Sequence, residues 1–120
     1  MKRTVIAQQG EAKVFKIDEI HNFAALTPMQ DTTPIGLPII SHSESGHHHV
    51  LDRPGVEVLE RTQDVPTGMR ILYAIVKEPT NLVQDANVPH QPVALDPGIY
   101  EFRIQREYDP FAEQARMVAD

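Results

Sequence analysis

The stretch Ile99-Tyr100-Glu101-Phe102-Arg103-Ile104-Gln105-Arg106-Glu107 decides the fold class. Side chains of an extended chain point alternately to its two faces, so Tyr100, Phe102 and Ile104 share one face and Glu101, Arg103 and Gln105 the other. That alternation predicts a half-buried antiparallel strand, opened by the turn residues Asp96-Pro97-Gly98. Upstream, residues 70–77 are apolar on both faces, with Ile71, Tyr73 and Ile75 opposite Leu72, Ala74 and Val76. A strand of that kind belongs at the centre of a sheet.

Working outward, residues 4–8 and 12–17 read as a hairpin joined through Gln9-Gly10-Glu11, where glycine supplies a positive φ. Residues 39–41 and 47–51 read as two short strands around the turn Ser43-Glu44-Ser45-Gly46. A second turn, Asp52-Arg53-Pro54-Gly55, leads in meander fashion to a strand over 56–62, where Val56 and Val58 alternate with Glu57. Residues 81–84 are expected to pair with the central strand, and Val93-Ala94-Leu95 precedes the final turn. Between 21 and 38 the chain is rich in Thr, Pro and Asn, which predicts a long surface loop with one helical turn near residues 22–26. Asp109 and Pro110 are placed to start a short helix over 111–117.

Ten prolines against six glycines exclude long helices, because proline inside a helix costs about 3 kcal/mol. The reading is all-β: a small antiparallel sandwich or barrel-like single domain spanning residues 1–120, with a long Pro-rich loop. With 41% hydrophobic and 23% charged residues the chain has the composition of a folded globule.

The absence of cysteine rules out disulfides, thiolate metal sites and a cysteine nucleophile. A formal charge of −6, from 17 acidic and 11 basic residues, disfavours nucleic acid as a partner. Met1 to Ala7 begins like a signal peptide, but its apolar run stops at Gln8-Gln9-Gly10-Glu11, and no stretch approaches the roughly 20 apolar residues that span a bilayer. The expectation is a cytoplasmic protein without membrane contact, or one carried in a virus particle.

The candidate chemistry lies in Gly46-His47-His48-His49 and His90. On a strand, His47 and His49 share a face and His48 takes the other, so the H-x-H pair offers two imidazoles to one ion. His90, between Pro89 and Gln91-Pro92, is placed to supply a third. Three neutral imidazoles with a water or carboxylate suit a divalent metal, zinc first, and iron or manganese if oxygen ligands join. Glu44, Asp52 and Glu57 are the candidate carboxylates. The competing reading makes these histidines polar surface residues beside a Ser-rich turn. Ser41, Ser43 and Ser45 stand near the histidines, but no G-x-S-x-G elbow positions a serine nucleophile. Arg103, Arg106, Glu107 and Tyr108 form either a charged binding rim or a solvated strand face.

An H-x-H pair in a β fold is similar to the cupins, yet the glutamate after the pair and the glycine-flanked second motif do not occur here in cupin order. A fuller resemblance runs through Gln9-Gly10-Glu11, Ser45-Gly46-His47-His48-His49, His90-Gln91-Pro92, Leu95-Asp96-Pro97-Gly98-Ile99-Tyr100, Arg103-Ile104-Gln105-Arg106-Glu107-Tyr108 and Val118-Ala119-Asp120. In these the chain resembles a family of small uncharacterised bacterial and phage proteins with a (Ser/Thr)-Gly-His-x-His motif. Members of that family carry a further histidine where this chain has Asn87, a poor zinc ligand, so the resemblance implies a three-histidine or degenerate site.

Two functional expectations stand side by side. One is a metal-binding β domain in which His47, His49 and His90 hold an ion that activates water, as in a hydrolase or oxygen-using enzyme. The other is a virion-associated structural or interaction protein, oligomeric or part of an assembly. In it the residue 27–38 loop and the C-terminal tail wrap neighbours, and Phe23, Leu26, Met29, Ile35 and Leu37, in the 21–38 segment without regular structure, supply apolar side chains for such contacts or fold back on the domain's own sheet.

Overall fold

The computed structural model describes residues 3–42, 47–84 and 91–105. Ten strands follow in chain order: β1 (Arg3–Gln9), β2 (Ala12–Ile17), β3 (Leu26–Pro28), β4 (Ile39–Ser41), β5 (His49–Leu51), β6 (Glu57–Arg61), β7 (Met69–Val76), β8 (Thr80–Gln84), β9 (Val93–Leu95) and β10 (Gly98–Gln105). One 3-10 turn, Phe23–Ala25, precedes β3. The strands form two antiparallel sheets, one ordered β1-β2-β10-β7-β6-β3 and the other β4-β5-β8-β9. This is the all-β sandwich that the alternating stretches predict.

The face assignments follow the sequence pattern. Tyr100, Phe102 and Ile104 are buried between the sheets with Val14, Leu72, Ala74 and Val76, against Ile40, Leu51, Leu82 and Leu95 of the smaller sheet. β7 lies between β10 and β6, and its other face joins a second apolar cluster of Phe15, Ile17, Ile20, Leu59, Ile71 and Tyr73. The larger sheet therefore carries apolar residues on both faces, its outer face covered in part by Leu26 of β3 and by Ile20 and Val65 from the connecting segments.

Three local expectations change. Residues 80–84 pair with β5 and β9 and not with the central strand, because both edges of β7 are already occupied by β10 and β6. The passage through Asp52-Arg53-Pro54-Gly55 is a crossing between sheets and not a meander, since β5 and β6 belong to different sheets. Pro54 cannot donate to a ladder and Gly55 takes φ 80°, so the segment turns out of one sheet and into the other. β5 begins at His49, so His47 and His48 precede the strand instead of alternating within it.

The predicted loop over 21–38 is not all loop: residues 26–28 form β3, which pairs with β6 at the edge of the larger sheet, and only residues 32–38 project as a small turn. Thr32 and Pro38 form an isolated antiparallel bridge, the Thr33 amide donates to the Leu37 carbonyl at 2.9 Å, and the Gly36 amide donates to the Thr33 carbonyl at 2.9 Å. Pro34 presets the turn and Gly36 closes it at φ 87°, which leaves Ile35 at the tip, 76% exposed. Leu26, Met29 and Leu37 are half-buried on the body, while Phe23 is 62% exposed. The short helix expected over 111–117 lies outside the described residues. No described helix is long and apolar enough to cross a membrane.

Candidate functional site

The turn of the first hairpin carries two polar side chains to the same end of the smaller sheet. β1 and β2 pair up to Gln9↔Ala12, leaving a two-residue connection in which Gly10 takes φ 57°. Gln9 is buried and its amide is fully committed. Its Nε2 donates to the carbonyl of Leu82 at 2.9 Å and to that of Gln91 at 2.8 Å, and its Oε1 lies 2.7 Å from Nδ1 of His49. On the other side of Gly10, the Ser41 hydroxyl donates to the Glu11 carboxylate at 2.6 Å. Ser41 and His49 are cross-strand partners of β4 and β5, so neighbouring positions in one sheet are each clasped by a side chain from one turn of the other.

These contacts fix the state of the His49 ring. Two carbonyl acceptors hold the NH2 end of Gln9, so the end facing His49 is oxygen, which only accepts. Nδ1 of His49 therefore carries a hydrogen, and in the neutral form of the ring the lone pair lies on Nε2. Donation of one ring N–H to a fixed acceptor is the arrangement that orients metal-ligating histidines, and it also satisfies a buried imidazole.

Of the residues singled out in the sequence, His49 is buried and His47 and His48 are half-buried. His90 and Glu44 lie outside the described residues, but Gln91, the next residue after His90, is the one whose carbonyl Gln9 holds. His48 is not idle on an opposite face: its ring meets that of His42 edge-to-face, centroids 4.5 Å apart. His42 Nε2 in turn pairs with the Asp31 carboxylate. Asp52 is committed to Asn81, accepting from its backbone amide at 2.8 Å and its side-chain amide at 3.0 Å. Glu57 stands on β6 in the other sheet. Among the described residues, no group of three or more His, Asp or Glu side chains is arranged to hold a metal ion.

Sequence reasoning missed Gln9, Glu11, His42 and Asp31 as neighbours of the histidine run. The signal for the first two was in the sequence, since Gln9-Gly10-Glu11 carries a resemblance of its own. Nothing local links it to residues 40 positions away.

The family model described as a domain of unknown function (DUF8820) matches residues 8–105. The chain belongs to this family. The DUF8820 match begins one residue before Gln9 and ends at Gln105, the last residue of β10. It thus takes in the Gln9-Gly10-Glu11 turn, the histidine run and His90-Gln91-Pro92, and leaves out Arg106-Glu107-Tyr108. No curated protein and no solved structure matches the chain.

Proposed function

We propose that this DUF8820 domain binds one divalent metal ion, zinc by preference, through His47, His49 and His90. The observation that carries the reading is the Gln9 amide. It holds His49 in the Nδ1–H form with Nε2 as the donor atom for a metal, and with the same NH2 group it holds the carbonyl of Gln91, next to His90. An ion held there would supply Lewis acidity and activate a water, the chemistry of a hydrolase or oxygen-using enzyme.

The test is metal content of purified protein by elemental analysis, followed by zinc titration calorimetry. His47→Ala with His49→Ala should abolish stoichiometric metal, while His48→Ala, whose ring contacts His42, should retain it. Binding should fade below about pH 6, because each imidazole must lose its proton to coordinate and free histidine titrates near 6.5. Loss of metal in the His48 variant equal to that in the double variant would overturn the assignment, as would a parent protein that takes up none at neutral pH.

The second reading is an interaction protein of a larger assembly, such as a virion or a homo-oligomer. Its support is the exposure of two large apolar side chains, Phe23 and Ile35, the latter at the tip of a rigid turn. Ile35→Ser should leave stability unchanged and reduce self-association in analytical ultracentrifugation. A monomeric parent, or unchanged association in the variant, removes this reading.

A further inference from the structure

We propose that Arg3, Arg103 and Lys13 form an oxyanion site on the outer face of the larger sheet, taking the phosphate or carboxylate group of a small ligand. The site is independent of the histidines. At its base lies Glu101, whose side chain is 1% exposed in the middle of β10. Nε of Arg3 lies 2.9 Å from Glu101 Oε2, Nη2 of Arg3 donates to Oε1 at 3.3 Å, and Nε of Arg103 donates to Oε2 at 3.1 Å. Both guanidinium groups also lie over the Phe15 ring, at 5.3 and 6.0 Å from its centroid.

One guanidinium neutralises Glu101; the second is a surplus charge. Lys13 adds another, standing directly opposite Arg103 in the β2–β10 register and hence on the same face. Three cations against one sealed carboxylate leave two positive charges in excess, on a chain whose formal charge is −6. The nitrogens that hold Glu101 are Nε and Nη2 of Arg3 and Nε of Arg103. That leaves Nη1 of Arg3 and both Nη atoms of Arg103 without a partner among the described residues, on side chains 33% and 29% exposed. Guanidinium donors fixed from beneath by a buried carboxylate, and open above, match the fork geometry of an oxyanion. Their mutual repulsion is relieved when an anion sits between them.

The test uses inorganic phosphate, with succinate as a separate carboxylate arm, in NMR titrations at constant ionic strength set with chloride. The full-length parent protein is treated with chelator throughout, so that no anion is bound through a metal. Saturable shifts at Lys13, Phe15 and Arg103 are expected, with a Kd of about 1 mM for whichever probe carries the preferred group. Lys13→Gln should weaken binding about threefold and Arg103→Gln about tenfold, the first without touching the Glu101 contacts. Non-saturating shifts identical to those in chloride for both probes would overturn the proposal, and so would a Lys13→Gln protein that binds as the parent does.

Discussion

The side-chain oxygen of Gln9 lies 2.7 Å from Nδ1 of His49, bridging the two sheets of the sandwich. Each partner is buried, and no buried side-chain nitrogen or oxygen among the described residues lacks a hydrogen-bond partner. Replacing Gln9 with Ala strips a partner from the His49 ring and a donor from the Leu82 and Gln91 carbonyls. The expected loss is about 2–3 kcal/mol, read from the urea unfolding midpoint at unchanged slope. A variant within about 0.5 kcal/mol of the parent would show the clasp to be energetically idle.

Phe102→Ala should cost about 3–5 kcal/mol, since the ring is fully buried between the sheets and Leu72 and Val14 stand opposite it on the flanking strands. Against a typical stability of about 5–15 kcal/mol, that loss threatens folding at room temperature. Thermal melting within a degree or two of the parent would contradict the placement of β10.

Glu101 and its arginines should respond asymmetrically. Arg3→Ala combined with Arg103→Ala leaves a carboxylate buried without a cation, and about 3 kcal/mol or more should be lost. Glu101→Gln retains an oxygen acceptor and lets the partly exposed guanidinium groups turn to water, so its cost should be clearly smaller. Chemical denaturation of the two proteins side by side decides the order.

Alkaline pH should destabilise the fold through Tyr73 and Tyr100. Burial pushes both phenols above their usual value near 10, with the Glu101 charge adding to the effect at Tyr73 and the Asp96 charge at Tyr100. Because the folded-state pKa is raised, stability is intact below about pH 10, where unfolded tyrosine begins to ionise, and falls as pH climbs towards the folded values. Tyrosinate absorbance should accordingly rise in step with unfolding at these two residues. Full ionisation of both in a protein that remains folded near pH 10 would contradict the burial.

Much of the fold was legible because alternation is a local signal. Tyr100, Phe102 and Ile104 announced their face, and the doubly apolar run around Leu72 announced the sheet centre. The same alternation misled at Glu101: a charged residue on the polar face reads as solvated, but it is buried beneath its two arginines, with Phe15 opposite it on β2. The assignment of β8 to the smaller sheet was illegible for another reason, since it depends on which strand edges are already taken. At the candidate site, the histidine run was visible by residue type alone. Its partner Gln9 was not, because a contact between residues 40 apart is set by how the two sheets stack.

The strand order has a consequence for the chain as it is synthesised. β10, the last of the described strands to be made, is the one inserted between β2 and β7, with Ile99 to Ile104 matched to Ile17 to Ala12 on one side and to Ile75 to Arg70 on the other. Until it arrives, the N-terminal hairpin has no ladder to the rest of its sheet, and the inner edges of both β2 and β7 present unpaired backbone amides. Closure of this sheet awaits contacts that span most of the sequence, which slows folding and leaves a nascent chain exposed to pairing with its neighbours on a polysome.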